Sequence, residues 1–184
     1  MMTEEGAART AESNFRSGYN CSQAVFCTFA PALGLDKSTA KRLSQPFGGG
    51  ICRMRHVCGT VSGMLLALGL LEGSDDVADK AAKDSIYRHG QELSAQFKEQ
   101  HGSIECRELL GLVPLGSADA LLHKAALPAA RPANSEKAGQ SVVEGNATAP
   151  LSEARSEAYY KKRPCPELCA SAAAIFARYL AARQ

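Results

Sequence analysis

The sequence predicts an all-α protein, a bundle of about six helices joined by short connections. Apolar residues recur every three or four positions in successive segments, polar caps or glycine and proline punctuate the segment ends, and no useful strand alternation is present. The 184 residues suffice for one domain, which we expect to span 1–184 with a flexible Ala/Pro/Gly-rich insertion at 112–150.

Three helices are predicted before Pro46. The first covers Thr3–Ser17, where apolar residues repeat every four positions behind a threonine cap. The second begins after Asn20, because NCSQ has the pattern of a capping box. The third is the segment STAKRLSQ, which the following proline ends.

Two longer helices follow the glycine-rich stretch GGGICRMRHVCGTVSG. The first runs from Cys58 to Leu71, and its small residues form one smooth face that suits close packing against another helix. The second runs from the turn Glu72–Asp76 to about Phe97. Its predicted apolar stripe consists of Val77, Ala81, Ile86, Leu93 and Phe97.

The remaining helices are short or lie behind the insertion. Ser103 is predicted to cap a short helix, IECRELL. Within 112–150 only Asp119–Leu127 has helical character, and order is expected to return with Ser152–Tyr160. The last helix is predicted to begin at Pro166 and to end near Arg183.

Composition excludes several classes of function. A net charge of +2 and the absence of Trp argue against nucleic-acid binding. The longest apolar stretch, Met64–Leu71, is too short to cross a bilayer, and the N-terminus has no secretory signal. We therefore expect a cytoplasmic protein without membrane insertion, whose oligomeric state and redox partner the sequence does not identify.

The chain contains seven cysteines, which is many for a protein of a reducing compartment. They are Cys21, Cys27, Cys52, Cys58, Cys106, Cys165 and Cys169. An odd number of thiols in the cytoplasm does not suit a disulfide scaffold, so metal binding or redox chemistry is the better explanation for at least some of them.

Four of these cysteines fall in the first turn, or at the cap, of four different predicted helices: Cys21, Cys58, Cys106 and Cys165. The free N–H groups at a helix N-terminus favour a thiolate over a thiol, and thiolate is the form that binds metal and attacks disulfides. Several basic residues lie close to them in sequence and are expected to strengthen this effect. They are Arg53, Arg55, His56, Arg107, Lys161, Lys162 and Arg163.

The other three cysteines have weaker signals. Cys27 lies about 120° from the face of Cys21 and is expected to pack in the core. Cys169 is one turn after Cys165 and faces either the same site or the core, while Cys52 in the glycine loop is at best auxiliary. His56 is the one histidine near enough to a cysteine to be a candidate ligand.

Four motifs occur in a fixed order and cover nearly all of the chain outside about 112–160. They are GYNCSQAV (Gly18–Val25), FGGGICRMRHVCGTVSGMLLALGL (Phe47–Leu70), IECRELLG (Ile104–Gly111) and CPEL (Cys165–Leu168). In this arrangement the chain resembles the C_GCAxxG_C_C family, small proteins regarded as redox-active. The family's four cysteines fall on Cys21, Cys58, Cys106 and Cys165, and Thr60 stands where the family name has Ala. The resemblance implies a redox or metal site, with an iron–sulfur cluster as one form, and it supplies no substrate.

Three interpretations of the four cysteines stay open. They hold an iron–sulfur cluster for electron transfer, with zinc less favoured because no C-x2-C pair is present. Alternatively they perform thiol–disulfide or peroxide chemistry, with Cys58 as nucleophile and a neighbour such as Cys21 as its partner. In the third interpretation the four thiols only pack. The first two describe an electron-transfer protein or an oxidoreductase.

Overall fold

A computed structural model of the chain describes residues 2–117, 148–161 and 163–183. Eight α-helices and no strands are present in these ranges, which confirms the predicted all-α class. The helices are α1 (Glu4–Arg16), α2 (Cys21–Phe29), α3 (Lys37–Ser44), α4 (Gly59–Glu72), α5 (Lys80–His101), α6 (Cys106–Leu109), α7 (Glu157–Lys161) and α8 (Cys165–Ala181). Most of the predicted insertion, 118–147, and with it the helical segment Asp119–Leu127, lies outside the described residues.

The first helices begin where local capping directs them. Thr3 accepts a hydrogen bond from the N–H of Gly6, and Asp36 does the same for Thr39. At α2 the side chain of Asn20 accepts from the N–H of Gln23, whose own side chain accepts from the Asn20 N–H. The predicted capping box is therefore present, and it sets the start of the helix that carries Cys21.

Helix α2 lies at the centre of the bundle and packs against α1, α3, α4 and α8. Five phenylalanines are fully or almost fully buried in the core: Phe15, Phe26, Phe29, Phe97 and Phe176. The rings of Phe29 in α2 and Phe176 in α8 meet edge to face, with centroids 4.8 Å apart. This core holds the N-termini of α2 and α8 on the same side of the bundle.

The smooth face of α4 packs closely on α2, as predicted. A Cβ at Gly59 would lie 3.0 Å from the Cβ of Cys21, and one at Gly63 would lie 2.6 Å from the carbonyl oxygen of Ser22. The two backbones therefore approach to a distance that only glycine permits. This contact brings the start of α4, and Cys58 with it, next to the start of α2.

Several sequence predictions of helix boundaries are wrong. Helix α6 begins at Cys106 after Glu105, and Ser103 does not cap it. Helix α5 begins three residues later than Val77, because Asp79 is the residue that caps it, and Val77 is 81% exposed instead of lying in the apolar stripe. The segment Ser152–Tyr160 is helical only over Glu157–Lys161, and residues 151–156 have no regular secondary structure. None of the described helices is long and apolar enough to span a membrane.

Candidate functional site

The backbone between α4 and α6 places two of the predicted cysteines beside each other. The N–H of Cys58 donates to the carbonyl of Ile104 at 2.7 Å, and the N–H of Cys106 donates to the carbonyl of His56 at 2.7 Å. An isolated antiparallel bridge between Val57 and Glu105 lies between these bonds. The two segments thus form a short paired unit that ends at both cysteines.

The sequence prediction of helix position is confirmed for all four cysteines. Cys21, Cys106 and Cys165 are the first residues of α2, α6 and α8, and Cys58 is the N-cap of α4. Cys21 is partly buried, whereas the other three thiols are almost fully buried. All seven cysteines are free thiols.

Cys21, Cys165 and Cys169 form a group of neighbouring thiols, called the thiol cluster below. The thiol of Cys169 donates to the carbonyl oxygen of Cys21 at 3.8 Å, and Cys165 lines the same cavity as Cys21. Cys169 therefore belongs to the site, although sequence reasoning left its place open between site and core. Its signal was the one-turn spacing from Cys165, which puts both thiols on one face of α8.

The pKa values within the cluster diverge. Hydrogen bonds from the thiols of Cys165 and Cys169 hold the pKa of Cys21 well below its ordinary value, and the charge of Arg155 acts in the same direction. For Cys165, the hydrogen bond that its thiol donates to Cys21 raises its pKa, and burial adds to this effect. The pKa of Cys169 is raised by burial and then by Cys21. The cluster is therefore described best as one thiolate surrounded by thiols.

The predicted low pKa of Cys58 is wrong. Burial raises the pKa of its thiol, and the negative charges of Cys21 and Cys106 raise it further. Burial and the charge of Cys21 likewise raise the pKa of Cys106 to about 11, although Arg55 Nη1 lies 4.0 Å from its sulfur. Position at a helix start thus does not outweigh desolvation and the neighbouring thiolate at these two residues.

A cavity of about 400 Å³ opens beside the cluster and is called the cysteine pocket below. Among its walls are the cysteines Cys21, Cys52, Cys106 and Cys165, the arginines Arg53, Arg55, Arg155 and Arg163, and Glu153 and Tyr159. Cys58 is not among these lining residues. The exposed Cys52 lines the pocket, Cys27 is buried in the core as predicted, and the side chain of His56 is exposed.

Two residues of the irregular segment 151–156 complete the pocket, and no pattern in the sequence indicates either of them. Arg155 donates to the carbonyls of Phe15 and Tyr19, both at 2.9 Å. Glu153 Oε1 accepts from Arg53 at 3.0 Å and from Arg163 at 2.7 Å. The Arg155 bonds and the Arg53–Glu153 pair join residues 100 or more positions apart, and the Glu153–Arg163 pair spans α7, so these contacts are seen only in the folded chain.

The loop before α4 has an unusual backbone. Gly49 and Gly50 are followed by Ile51, Cys52 and Arg53 with φ values of 56°, 48° and 62°, and Arg55 has a φ of 64°. Non-glycine residues rarely adopt the left-handed region, and a run of them stores strain of the kind that clusters at functional sites. The loop holds three of the pocket-lining side chains.

The site does not fit a single metal ion as it stands. Across the described ranges, no three histidine, cysteine, aspartate or glutamate side chains form a group that could hold one. The four family cysteines nonetheless lie close enough for the charge of Cys21 to affect the pKa of Cys58, Cys106 and Cys165.

Together, fold and site define a class: a helical protein with a cluster of free thiols at converging helix N-termini, beside an arginine-lined pocket. The chain belongs to the family described as "Putative redox-active protein (C_GCAxxG_C_C)", whose model matches residues 19–179. Comparison with curated proteins gave no match, and comparison with solved structures gave none either.

Proposed function

We propose that this protein exchanges thiols and disulfides, with Cys21 as the nucleophile and Cys165 as the resolving thiol. The observation that carries the proposal is the grouping of thiols at the start of α2: Cys21 and Cys165 line one cavity, and the Cys169 thiol donates to the carbonyl oxygen of Cys21 at 3.8 Å. Thiols that lie close together need little movement to form a disulfide. We place the reaction in the cytoplasm, where a redox partner returns the protein to its starting state.

Cys21 is favoured over Cys58 as nucleophile on two grounds. Cys21 is partly exposed and lines the pocket, whereas Cys58 is 4% exposed and is not among the pocket-lining residues. The pKa of Cys21 is lowered by its thiol neighbours, whereas burial raises the pKa of Cys58. Cys165 is favoured over Cys169 as resolving thiol because it lines the pocket, while Cys169 is fully buried.

The reaction consists of two exchanges. The Cys21 thiolate attacks one sulfur of a partner disulfide, forming a mixed disulfide while the other partner sulfur leaves as a thiolate. Cys165 then loses its proton to that thiolate and attacks the sulfur of Cys21. The Cys21–Cys165 disulfide forms, the second partner sulfur leaves and takes a proton from solvent, and the partner has gained two electrons as a dithiol. A dithiol reverses both steps.

Trapping the intermediate tests this assignment. Reduced protein is mixed with a small disulfide, quenched with an alkylating agent and mapped by mass spectrometry. We expect a Cys21–Cys165 disulfide in the wild type, a lasting mixed disulfide on Cys21 in Cys165→Ser, and no adduct at the cluster in Cys21→Ser. Cys27→Ser is the matched control, since Cys27 is buried away from the pocket. A mixed disulfide on Cys58, or an unreactive wild type, would contradict the proposal.

A second candidate function is the predicted iron–sulfur or other metal site on Cys21, Cys58, Cys106 and Cys165. What favours it is that all four cysteines lie at helix starts, since a cluster of this kind takes four thiolates. Protein purified without oxygen should then be coloured and contain iron and sulfide, and zinc would appear in the same metal analysis. A colourless, metal-free preparation contradicts this candidate and leaves the first one standing.

A further inference from the structure

We propose that the cysteine pocket binds a small disulfide that carries carboxylate groups. The inference rests on the proposed thiol–disulfide function and names its substrate class. A volume of about 400 Å³ is of the size that holds a small molecule. The cysteines on its walls supply the nucleophile, and the arginines supply the recognition.

The charges on the walls of the pocket do not cancel. The described lining residues include four arginines and one carboxylate, that of Glu153. Even with a thiolate on Cys21, an excess of positive charge remains. A pocket with this balance attracts anions and repels cations, and its low-dielectric walls strengthen the discrimination.

The pocket already contains a carboxylate-binding group of three arginines, Arg53, Arg55 and Arg163, which we call the seat. One oxygen of Glu153 accepts from Arg53 at 3.0 Å and from Arg163 at 2.7 Å, and it lies 4.0 Å from Arg55 Nη2. Arg–carboxylate hydrogen bonds are strong and directional, so a carboxylate of similar placement can use the same donors. The side chain of Glu153 is 45% exposed and lies on a segment without regular secondary structure, so a ligand carboxylate can displace it.

The seat is joined to the thiols by one side chain. Nη2 of Arg55 faces the Glu153 oxygen at 4.0 Å, and Nη1 of the same guanidinium lies 4.0 Å from the sulfur of Cys106. Cys21 and Cys165 share the walls of the same cavity. A short molecule with a carboxylate at one end and a disulfide a few bonds away can therefore meet both features at once.

Arg53 adds a further donor. Its Nε is buried and has no hydrogen-bond partner among the residues that the structure describes. A buried donor left unsatisfied costs about 1–3 kcal/mol. A ligand carboxylate that accepts a hydrogen bond from this Nε removes that cost. The strained loop fixes the backbone of Arg53 with a φ of 62°.

The test compares three disulfides of similar size and different charge: 3,3′-dithiodipropionate, bis(2-hydroxyethyl) disulfide and cystamine. The rate of mixed-disulfide formation on Cys21 in Cys165→Ser is measured for each and divided by its rate with a simple free thiol. We expect the anionic disulfide to exceed the neutral one by about tenfold at low salt, the cationic one to be slowest, and the difference to shrink at high salt.

Three variants assign the effect to the seat. Arg163→Gln should remove most of the preference for the anionic disulfide, while Glu153→Gln should increase the ratio of the anionic to the neutral rate several-fold. Arg88→Gln is the charge-matched control, because this arginine is exposed on α5 outside the pocket. The gain expected for Glu153→Gln is a result that a misfolded variant does not give.

The outcomes separate this inference from the function on which it rests. If Cys21 reacts with all three disulfides without charge preference, the anionic substrate class is wrong and the thiol function stands. If Cys21 reacts with none of them, the thiol function fails, and binding of 3,3′-dithiodipropionate to the Cys21→Ser protein is measured by calorimetry. Binding that Arg163→Gln weakens supports the pocket; absence of binding overturns it.

Discussion

The close contact between α2 and α4 predicts that adding a methyl group at Gly63 destabilises the protein. A Cβ at Gly63 would lie 2.6 Å from the Ser22 carbonyl oxygen and 3.1 Å from the Cβ of Val25. Because the nearer atom is backbone, the two helices must separate. Overpacking costs about 1–3 kcal/mol, and a contact with backbone at 2.6 Å falls in the upper part of that range, about 2–3 kcal/mol; about 1 kcal/mol of this returns when glycine leaves a helix interior. We expect Gly63→Ala to lower the free energy of unfolding by about 1–2 kcal/mol.

Gly69 provides a matched control in the same helix. A Cβ at Gly69 would meet no atom within 4 Å, and the residue is exposed. Gly69→Ala should therefore raise the free energy of unfolding by up to about 1 kcal/mol through helix propensity alone. The assay is thermal unfolding of reduced protein by far-UV circular dichroism, with Tm about 2–8 °C lower for Gly63→Ala. A Gly63→Ala protein that melts at or above the wild-type Tm would refute the close-packing argument.

Three further substitutions test the site and its supports. Arg155→Gln removes a charge that lowers the pKa of Cys21, so the alkylation of Cys21 should require higher pH; an unchanged profile would contradict this role. Asn20→Ala removes the capping box and should cost about 1 kcal/mol in denaturant unfolding, whereas no loss would dismiss the cap. Burial lowers the pKa of His101, so the folded state binds its proton less readily and stability should fall as pH drops through about 6.5. His101→Gln should weaken that fall.

Local sequence patterns predicted the starts of the helices that matter. The capping box at Asn20 and the glycine face of α4 depend on residues within one helical turn or on one repeated spacing, so the chain's order of amino acids is enough to see them. The same reasoning placed Cys21, Cys58, Cys106 and Cys165 at helix starts. The start of α5 was missed because several acidic residues precede it, and Asp79 is the one that caps.

The electrostatics of the site required the packed structure. Whether a thiol at a helix start becomes a thiolate depends on its burial and on which other sulfur ionises first, and neither is written in the spacing of cysteines. Cys58 and Cys21 have the same local signal, yet the pKa of one is raised and that of the other is lowered. Glu153 and Arg155 lie on a segment without regular secondary structure, whereas the sequence pattern predicts a helix there.

The left-handed loop before α4 links the stability of the protein to its site. Each non-glycine residue in this conformation costs about 1–2 kcal/mol, and Ile51, Cys52, Arg53 and Arg55 all adopt it. Backbone bonds hold the loop in place, among them Cys52 N–H to the Pro46 carbonyl at 2.7 Å. These backbone bonds compensate for the strain of a loop that positions two pocket arginines, Arg53 and Arg55.

Cys52 offers a way to measure that strain, because its side chain is exposed and glycine adopts its φ of 48° without cost. Relief of about 1–2 kcal/mol is opposed by the greater freedom of glycine in the unfolded chain, about 0.5–1 kcal/mol. We expect Cys52→Gly to raise the free energy of unfolding by up to about 1 kcal/mol, and Cys52→Val to lower it. Denaturant unfolding of both variants measures the difference. If Cys52→Gly is the less stable of the two, the loop is not strained at this position and its backbone serves the pocket without a stability cost.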